Sequence, residues 1–455
     1  MLYSYRHQLW RYRLWLAATL LLVGAFSLRS LGEFSSINTL HPFWWGVGVM
    51  GAGFVLSWSL RIVPACWFWG VAIATRLLLL NMTPGDDIWR YLWEGLIQNQ
   101  GFSPYHFAPD APVLEPYRTE WWGQINHLDV SAIYPPLTQL GFRLLAAIAP
   151  TVITFKLAFV AADLLVCELL SQISGKPRAT LYAWNPTVIY SFAGGGHYDS
   201  WFILPLVWAW RLAEQNWAPD QGRRSSGLTE AGIALLVGLS IAIKWVSLPI
   251  LGWLVWRSLH RPKFHWSNLL WGGSTLLYGL IPILLSPLPF CQRGTCPLIP
   301  TESTFVAYGR SAELIPHLVA QWWPLSLQAN WIYGFPLGLF VLWLLLRAIS
   351  FLQFVQWYFF ALLLITPIIH FWYFVWLLPF AVPSQNWGAR FVSLSAFVYF
   401  VLPLRVPDWR LTPEERWFLW LPFVLGWLWT VWQTYPRFPQ KYWHPYSSQS
   451  GSSTD

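Results

Sequence analysis

The sequence predicts an all-α polytopic membrane protein, a bundle of about twelve to fourteen transmembrane spans. Three observations carry this. Hydrophobic residues make up 56% of the 455 residues and charged residues 11%, about half the charged share of a soluble domain. Apolar runs recur along the chain at lengths near the roughly 20 residues a helix needs to cross a hydrocarbon core. Trp contributes 36 residues, and Trp favours the membrane–water interface.

Taken in order, the apolar runs place candidate helices near 14–31, 42–60, 62–80, 152–171, 178–194, 198–213, 228–243, 246–260, 267–285, 327–347, 352–366, 368–383, 388–403 and 415–433. The stretch 137–149 is apolar but too short to span, and reads as a dipping or interfacial helix. Arg11 and Arg13 precede the first run, and no small-residue cleavage site follows, so that run is expected to stay as an anchor. Residues 1–436 form one membrane domain. Residues 437–455 form a polar, Ser-rich tail expected to be disordered, and 215–230 is a polar linker. No repeat of 20–50 residues is evident.

Basic residues gather on the cytoplasmic side of membrane proteins. With the N-terminus inside, alternation of spans puts Arg61, Lys176, Arg178, Arg223, Arg224, Arg257, Arg261, Lys263, Arg347 and Arg390 inside as well. The two long polar loops, about 81–136 and 286–326, then fall outside. The net charge of +8 is scattered over span ends with no long basic run, which does not suggest nucleic acid. Cys66 and Cys167 lie in apolar runs and read as small hydrophobes. Cys291 and Cys296, in Cys-Gln-Arg-Gly-Thr-Cys, are either a disulfide permitted on an oxidising face or two free thiols. Zinc is not expected, because no second Cys or His pair sits at ligand spacing.

The first outer loop opens on the chain's sharpest feature, Gly85-Asp86-Asp87-Ile-Trp-Arg-Tyr-Leu-Trp-Glu-Gly95. Two carboxylates stand at the mouth of an apolar run, where charge is costly and tends to have a use. Asp86 or Asp87 can cap the helix that follows. Trp89, Leu92, Trp93 and Leu96 recur at helical spacing, with Arg90 and Glu94 on the polar side, so the segment reads as an amphipathic helix at the outer interface. Neighbouring residues diverge by about 100° on a helix, so one aspartate is expected to cap and the other to face a cavity. The bland alternative is that both are capping or surface charges.

Under this topology Gly196-His197-Tyr198-Asp199, Lys244, His370 with Tyr373, and Arg76 converge on the same outer rim. Carboxylates, imidazoles and cations on one rim define a candidate site. Taken singly, each has a structural reading: a lone His is more often a satisfied structural residue, and Lys244 and Arg76 can snorkel to the interface. The loop is also long and rich in aromatic, Pro and amide groups, in Gly101-Phe-Ser-Pro-Tyr105, Ile125-Asn-His-Leu-Asp129 and Ile133-Tyr-Pro-Pro136. Ordered loops of this length are usually functional. Aromatic faces beside carboxylates and amides suit sugar rings.

These segments together resemble the first outer loop of bacterial GT-C glycosyltransferases, closest to the polyprenol-phosphate-mannose-dependent mannosyltransferases. Gly196-His-Tyr-Asp199 resembles that group's GH-x-D stretch, and Phe371-Trp-Tyr-Phe-Val-Trp-Leu-Leu-Pro379 its late aromatic span. The resemblance runs over roughly 60–380 in the same order. Glu94 stands where relatives often carry Asp, and His370 where they often carry Pro.

The resemblance implies a GT-C-like fold with a catalytic extracytoplasmic loop in the inner, or plasma, membrane. It implies transfer of a hexose, mannose above all, from a polyprenyl-phosphate donor to a lipid, glycan or protein acceptor. The reaction would invert the anomeric carbon, with Asp87 as general base and Asp86 as alternative base or helper. Arg90, Lys244, His197 and Arg76 are the candidates to face the phosphate. Glu94, Tyr105, Asp199, His370 and Tyr373 complete the expected substrate-binding set. No cofactor is demanded, although some relatives use a divalent metal ion near the carboxylates, here Asp86 and Asp87. The competing class is a transporter or lipid flippase; a bundle of this size with intramembrane ionisable residues is compatible with one.

Overall fold

The computed structural model describes residues 2–434 except 33, 35, 218–226, 261–265, 292–295, 299–306, 348 and 407. The expected tail and most of the 215–230 linker lie outside the described residues. Among the described residues all regular structure is helical. Among the described residues, three helical stretches are long and apolar enough to cross a membrane: Trp10–Leu28, Trp266–Phe290 and Trp387–Arg405. Four shorter apolar ones accompany them, Ala65–Leu79, Gly227–Ile243, Asn330–Leu346 and Phe351–Ile365. This is a helical membrane protein.

The first three helices are α1 (Leu2–Leu28), α2 (Ile37–Ser57) and α3 (Ala65–Leu79). The loop 81–136 carries α4 (Asp87–Asn99) and two short 3-10 turns, and ends at α5 (Pro136–Ile148). α6 (Val152–Ser174) follows, capped by Thr151, whose hydroxyl accepts from the Thr154 amide. The central helices are α7 (Lys176–Ala183), α8 (Pro186–Ile189), α9 (Ser200–Trp217), α10 (Gly227–Ile243), α11 (Leu248–Leu259) and α12 (Trp266–Leu285). The C-terminal part holds α13 (Ile315–Trp322), α14 (Gly334–Leu346), α15 (Phe351–Ile365), α16 (Leu378–Ala381), α17 (Trp387–Ser395) and α18 (Pro413–Thr434). A reciprocal Ser350–Gln353 capping box starts α15, a pattern that satisfies two orphan backbone donors at once.

Several expected spans are interrupted. The run 178–194 is three pieces, α7, α8 and a π-helical turn at Tyr190–Gly194. Asn185-Pro186 is the cause: Pro at the first helical position starts a helix and cannot continue one. The run 368–383 is a 3-10 turn, Phe371–Trp376, followed by the single turn of α16. The run 388–403 leaves α17 at Ser395 and continues as a 3-10 helix to Arg405.

Helices meet closely where both partners are glycine. A Cβ on Gly238 of α10 would lie 2.2 Å from the Gly279 carbonyl oxygen of α12, and one on Gly426 of α18 would lie 2.6 Å from the Gly388 amide of α17. Small residues at such crossings let backbones pack without a water-driven hydrophobic force between helices. The opposite faces are apolar and open. On α12, Leu276, Leu277, Leu284 and Leu285 are 43–61% exposed, as expected of a surface whose solvent is lipid.

The loop helix α4 departs from the expected interfacial helix. Its apolar residues Leu92 and Trp93 are buried, but so are Arg90 and Glu94 on its polar side. α5 packs along it at Gly95, where a Cβ would fall 2.4 Å from the Phe142 carbonyl oxygen. The remainder of the loop covers Trp93 and Ile97 with Leu114 and Ile125. α4 is therefore a core helix of the loop, not one lying half in lipid.

Candidate active site

The site forms where α4 begins. Asp86 precedes the helix and Asp87 is its first residue. Asp86 makes no side-chain cap bond, which corrects the expected division of labour between the two. Both carboxylates instead meet one donor from the far end of the loop. The Asn126 amide nitrogen lies 3.3 Å from Asp86 Oδ2 and 3.0 Å from Asp87 Oδ1. The two side chains converge on this one donor although Asp86 already has helical backbone angles.

Asp87 is 19% exposed at the side chain. Its other oxygen accepts from the Tyr91 hydroxyl at 3.4 Å and lies 3.6 Å from His197 Nδ1. Burial, and then the neighbouring Asp86 charge, push the Asp87 carboxyl up to about 7, against the opposing pull of the Asn126 hydrogen bond and of Lys244. A base poised near the working pH is what general-base chemistry needs.

The π turn delivers the next residues. Gly195 returns its carbonyl to the Gly85 amide at 2.9 Å, tying the turn to the root of the aspartate loop. Gly196 has φ of +75°, a conformation that favours glycine; a Cβ there would also press on the end of the Ile88 side chain. His197, buried, then stacks on Trp372 with ring centroids 3.5 Å apart. Trp372 stacks in turn on His370 at 4.6 Å, and His370 Nδ1 lies 2.8 Å from the Tyr399 hydroxyl. An indole thus sits between two imidazoles.

Asp199, fully buried, accepts from Lys244 Nζ at 2.5 Å and from Trp376 Nε1 at 2.7 Å. The Lys244 ammonium is surrounded by the rings of Tyr198, Phe202, Tyr373 and Trp376, 4.8–5.8 Å from their centroids. Tyr373 is stacked on Trp376. Tyr91, Tyr134 and Tyr198 pack edge-on against one another beneath the carboxylates.

The structure therefore brings together Asp86, Asp87, His197, Asp199, Lys244, His370 and Tyr373. It removes four others from the substrate-facing set. The Arg90 guanidinium has five donors, and all are engaged. Nε meets Glu94 at 2.8 Å, Nη1 meets the carbonyls of Asn126 and His127, and Nη2 meets those of Val130 and Ser131. It has nothing left for a phosphate. Glu94 is held by Arg90 and by the Gln139 amide at 2.5 Å, and burial pushes its carboxyl up. Tyr105 donates to the Tyr134 carbonyl at 2.7 Å and meets Phe290 edge-on, so it braces the loop. Arg76 is fully buried. It pairs with Asp163 at 2.5 Å and donates to the carbonyls of Ala72 and Ala183. Its apolar surroundings demand a buried counter-ion, so it turns inward to α6 instead of reaching up to the rim.

Sequence reasoning did not select Asn126, Trp372, Trp376, Tyr399 or Lys156 as site residues. Lys156, on the first turn of α6, donates to the carbonyls of Leu80 at 3.2 Å and Met82 at 2.6 Å, at the root of the aspartate loop. A lysine one turn into an apolar run was the available signal. The sulfurs of Cys291 and Cys296 are joined as a disulfide, with Cα atoms 4.2 Å apart. Asp86 and Asp87 offer two carboxylates to a cation, and among the described residues no cluster of three or more His, Cys, Asp or Glu has metal-binding geometry.

No protein-family model, no curated protein and no solved structure matches this chain.

Proposed function

We propose that the protein is a GT-C-like membrane glycosyltransferase of the inner (plasma) membrane. It transfers a hexose, mannose in the first instance, from a polyprenyl-phosphate donor to a lipid, glycan or protein acceptor on the extracytoplasmic face. The observation that carries this reading is the poised carboxylate. Asp87 is nearly enclosed, shares one amide donor with Asp86, and looks onto an imidazole and an aspartate-held lysine.

In the proposed step Asp87 takes the proton of an acceptor hydroxyl while that oxygen forms its bond to the anomeric carbon. The bond from that carbon to the phosphate oxygen breaks, its electron pair leaves on the phosphate, and the anomeric centre inverts. Positive charge grows on the sugar ring and negative charge on the leaving group. With Arg76 and Arg90 engaged elsewhere, Lys244 is the cation best placed to face the phosphate. Among the site's aromatic groups, half-buried Trp372 and Tyr373 are open to a sugar ring.

The test supplies radiolabelled mannosyl-phospho-polyprenol, and other lipid-linked hexoses, to membranes containing the wild type or Asp87→Asn. Wild type is expected to form a new glycosidic bond, and the variant to lose at least about 100-fold in rate while keeping its thermal unfolding profile. Full transfer by Asp87→Asn removes Asp87 as the base. Translocation of the lipid without glycosidic bond formation would move the protein to the transporter or flippase class.

A further inference from the structure

We infer that the α17–α18 face carries a binding site for one anionic phospholipid, with the headgroup phosphate on Arg390 and an acyl chain in the adjoining apolar groove. The inference is independent of the transferase reading. The groove is about 650 Å³ in volume, lined by Trp387 and Phe391 of α17 and by Leu425, Leu428, Trp429 and Trp432 of α18. Its floor is Gly426, where the two helices touch backbone to backbone. The lining is almost wholly apolar, and the groove is shallow and wide open to the surroundings, so a chain would lie along it as along a lipid-facing surface. Trp429 and Trp432 form a pair at 5.0 Å and are 48% and 66% exposed. Amphipathic indoles of this kind belong at headgroup depth.

The charge is what separates this groove from an ordinary lipid-facing surface. Trp387, which lines the groove, also lies under the Arg390 guanidinium at 4.6 Å, and Trp58 lies under it at 5.2 Å. Arg390 is 7% exposed. It donates through Nη2 to Gln385 at 2.8 Å, while its buried Nε has no hydrogen-bond partner. No carboxylate pairs with it among the described residues. Gln385 in turn donates to the Arg178 carbonyl, so exposed Arg178 and half-buried Lys176 flank the same end of the bundle. A largely desolvated guanidinium without an acid is matched by an anionic acceptor at its accessible edge. A phosphate tethered to an apolar chain satisfies both the cation and the groove. The basic residues expected on the cytoplasmic side mark this end as the one that meets the anionic leaflet.

The experiment is native mass spectrometry of the full-length protein in detergent, titrated with phosphatidylglycerol and, separately, phosphatidylcholine of identical chains. Wild type is expected to retain one phosphatidylglycerol about fivefold more tightly than phosphatidylcholine, the effect of one basic residue at a membrane surface. Arg390→Gln is expected to bring phosphatidylglycerol down to the phosphatidylcholine level. Trp432→Ser, at the exposed edge of the groove, is expected to weaken both lipids equally. Equal retention of the two lipids by wild type overturns the inference without recourse to any variant. So does undiminished phosphatidylglycerol preference in a folded Arg390→Gln protein.

Discussion

At the scale of single residues, the carboxylate pair is governed by what surrounds it. Asp87 is pushed upward by burial and by Asp86, and pulled downward by the Asn126 amide. In its proposed role as base it works only when deprotonated, so the proposed transfer should rise with pH through about 7. Asp86→Asn removes the neighbouring charge, and the acidic limb of kcat/KM should move to lower pH. Asn126→Ala removes a donor that favours the ionised form, and the limb should move to higher pH. The pH profile of transfer by the two variants reads this directly; shifts of the same sign would mean that Asn126 and Asp86 do not oppose each other at Asp87. A further residue-scale point concerns cations. Lys244 and Arg90 both stand near carboxylates in the folded protein, yet only Lys244 keeps rings and partial exposure around its charge. Arg90 is the internal strut of the loop: besides Glu94, its partners are backbone carbonyls about 36–41 positions away in sequence. No side-chain pattern announces such a partner set.

At the scale of elements, the α4–α5 pair sets the site. Gly95 is the contact point, and Gly95→Ala would force α5 away from α4 by pressing a methyl onto the Phe142 carbonyl. Overpacking of this kind costs about 1–3 kcal/mol. We expect a lowered unfolding temperature together with a disproportionate loss of transfer, because α4 carries Asp87 at its first position. An unchanged unfolding temperature would mean that the helices part without strain. The same element shows where sequence reading reached its limit. The helix itself, its start at the aspartates and the apolar spacing of Trp89, Leu92 and Trp93 were legible, since they are local. The cover over its polar side was not, because it is assembled from Leu114, Ile125 and the 126–131 carbonyls. Likewise the motif Gly196-His-Tyr-Asp199 was legible as a polar break. The π turn that aims it depends on Asn185-Pro186 and on the Gly195–Gly85 bond, a contact across the fold. Most helix positions were readable from apolar run length. Two of the interruptions coincide with Pro186 and Pro379, which stand at the starts of short helices; the change to a 3-10 helix after Ser395 has no such local cause.

At the scale of the whole molecule, the helices on either side of the segment with the carboxylates, α3 and α6, are anchored to each other by buried charge. Arg76 on α3 and Asp163 on α6 form one such anchor. Breaking a buried pair by removing one member costs about 3–5 kcal/mol, whereas replacing both by apolar residues is often nearly neutral. Arg76→Met alone should therefore unfold the protein at markedly lower temperature in detergent, and Arg76→Met with Asp163→Leu should recover much of the loss. A single variant as stable as wild type would show that the pair is not holding α3 to α6. Above this anchor, the shared amide of Asn126 has a consequence for timing. It reaches both aspartates from the opposite end of a loop whose seat is fixed by Arg90. Any excursion that lifts residues 126–131 from that seat would leave two neighbouring carboxylates facing each other without their common donor. The cheapest relief is to take up a proton. In the proposed reaction, the seating of 126–131 on Arg90 would therefore set whether Asp87 carries the charge a base needs.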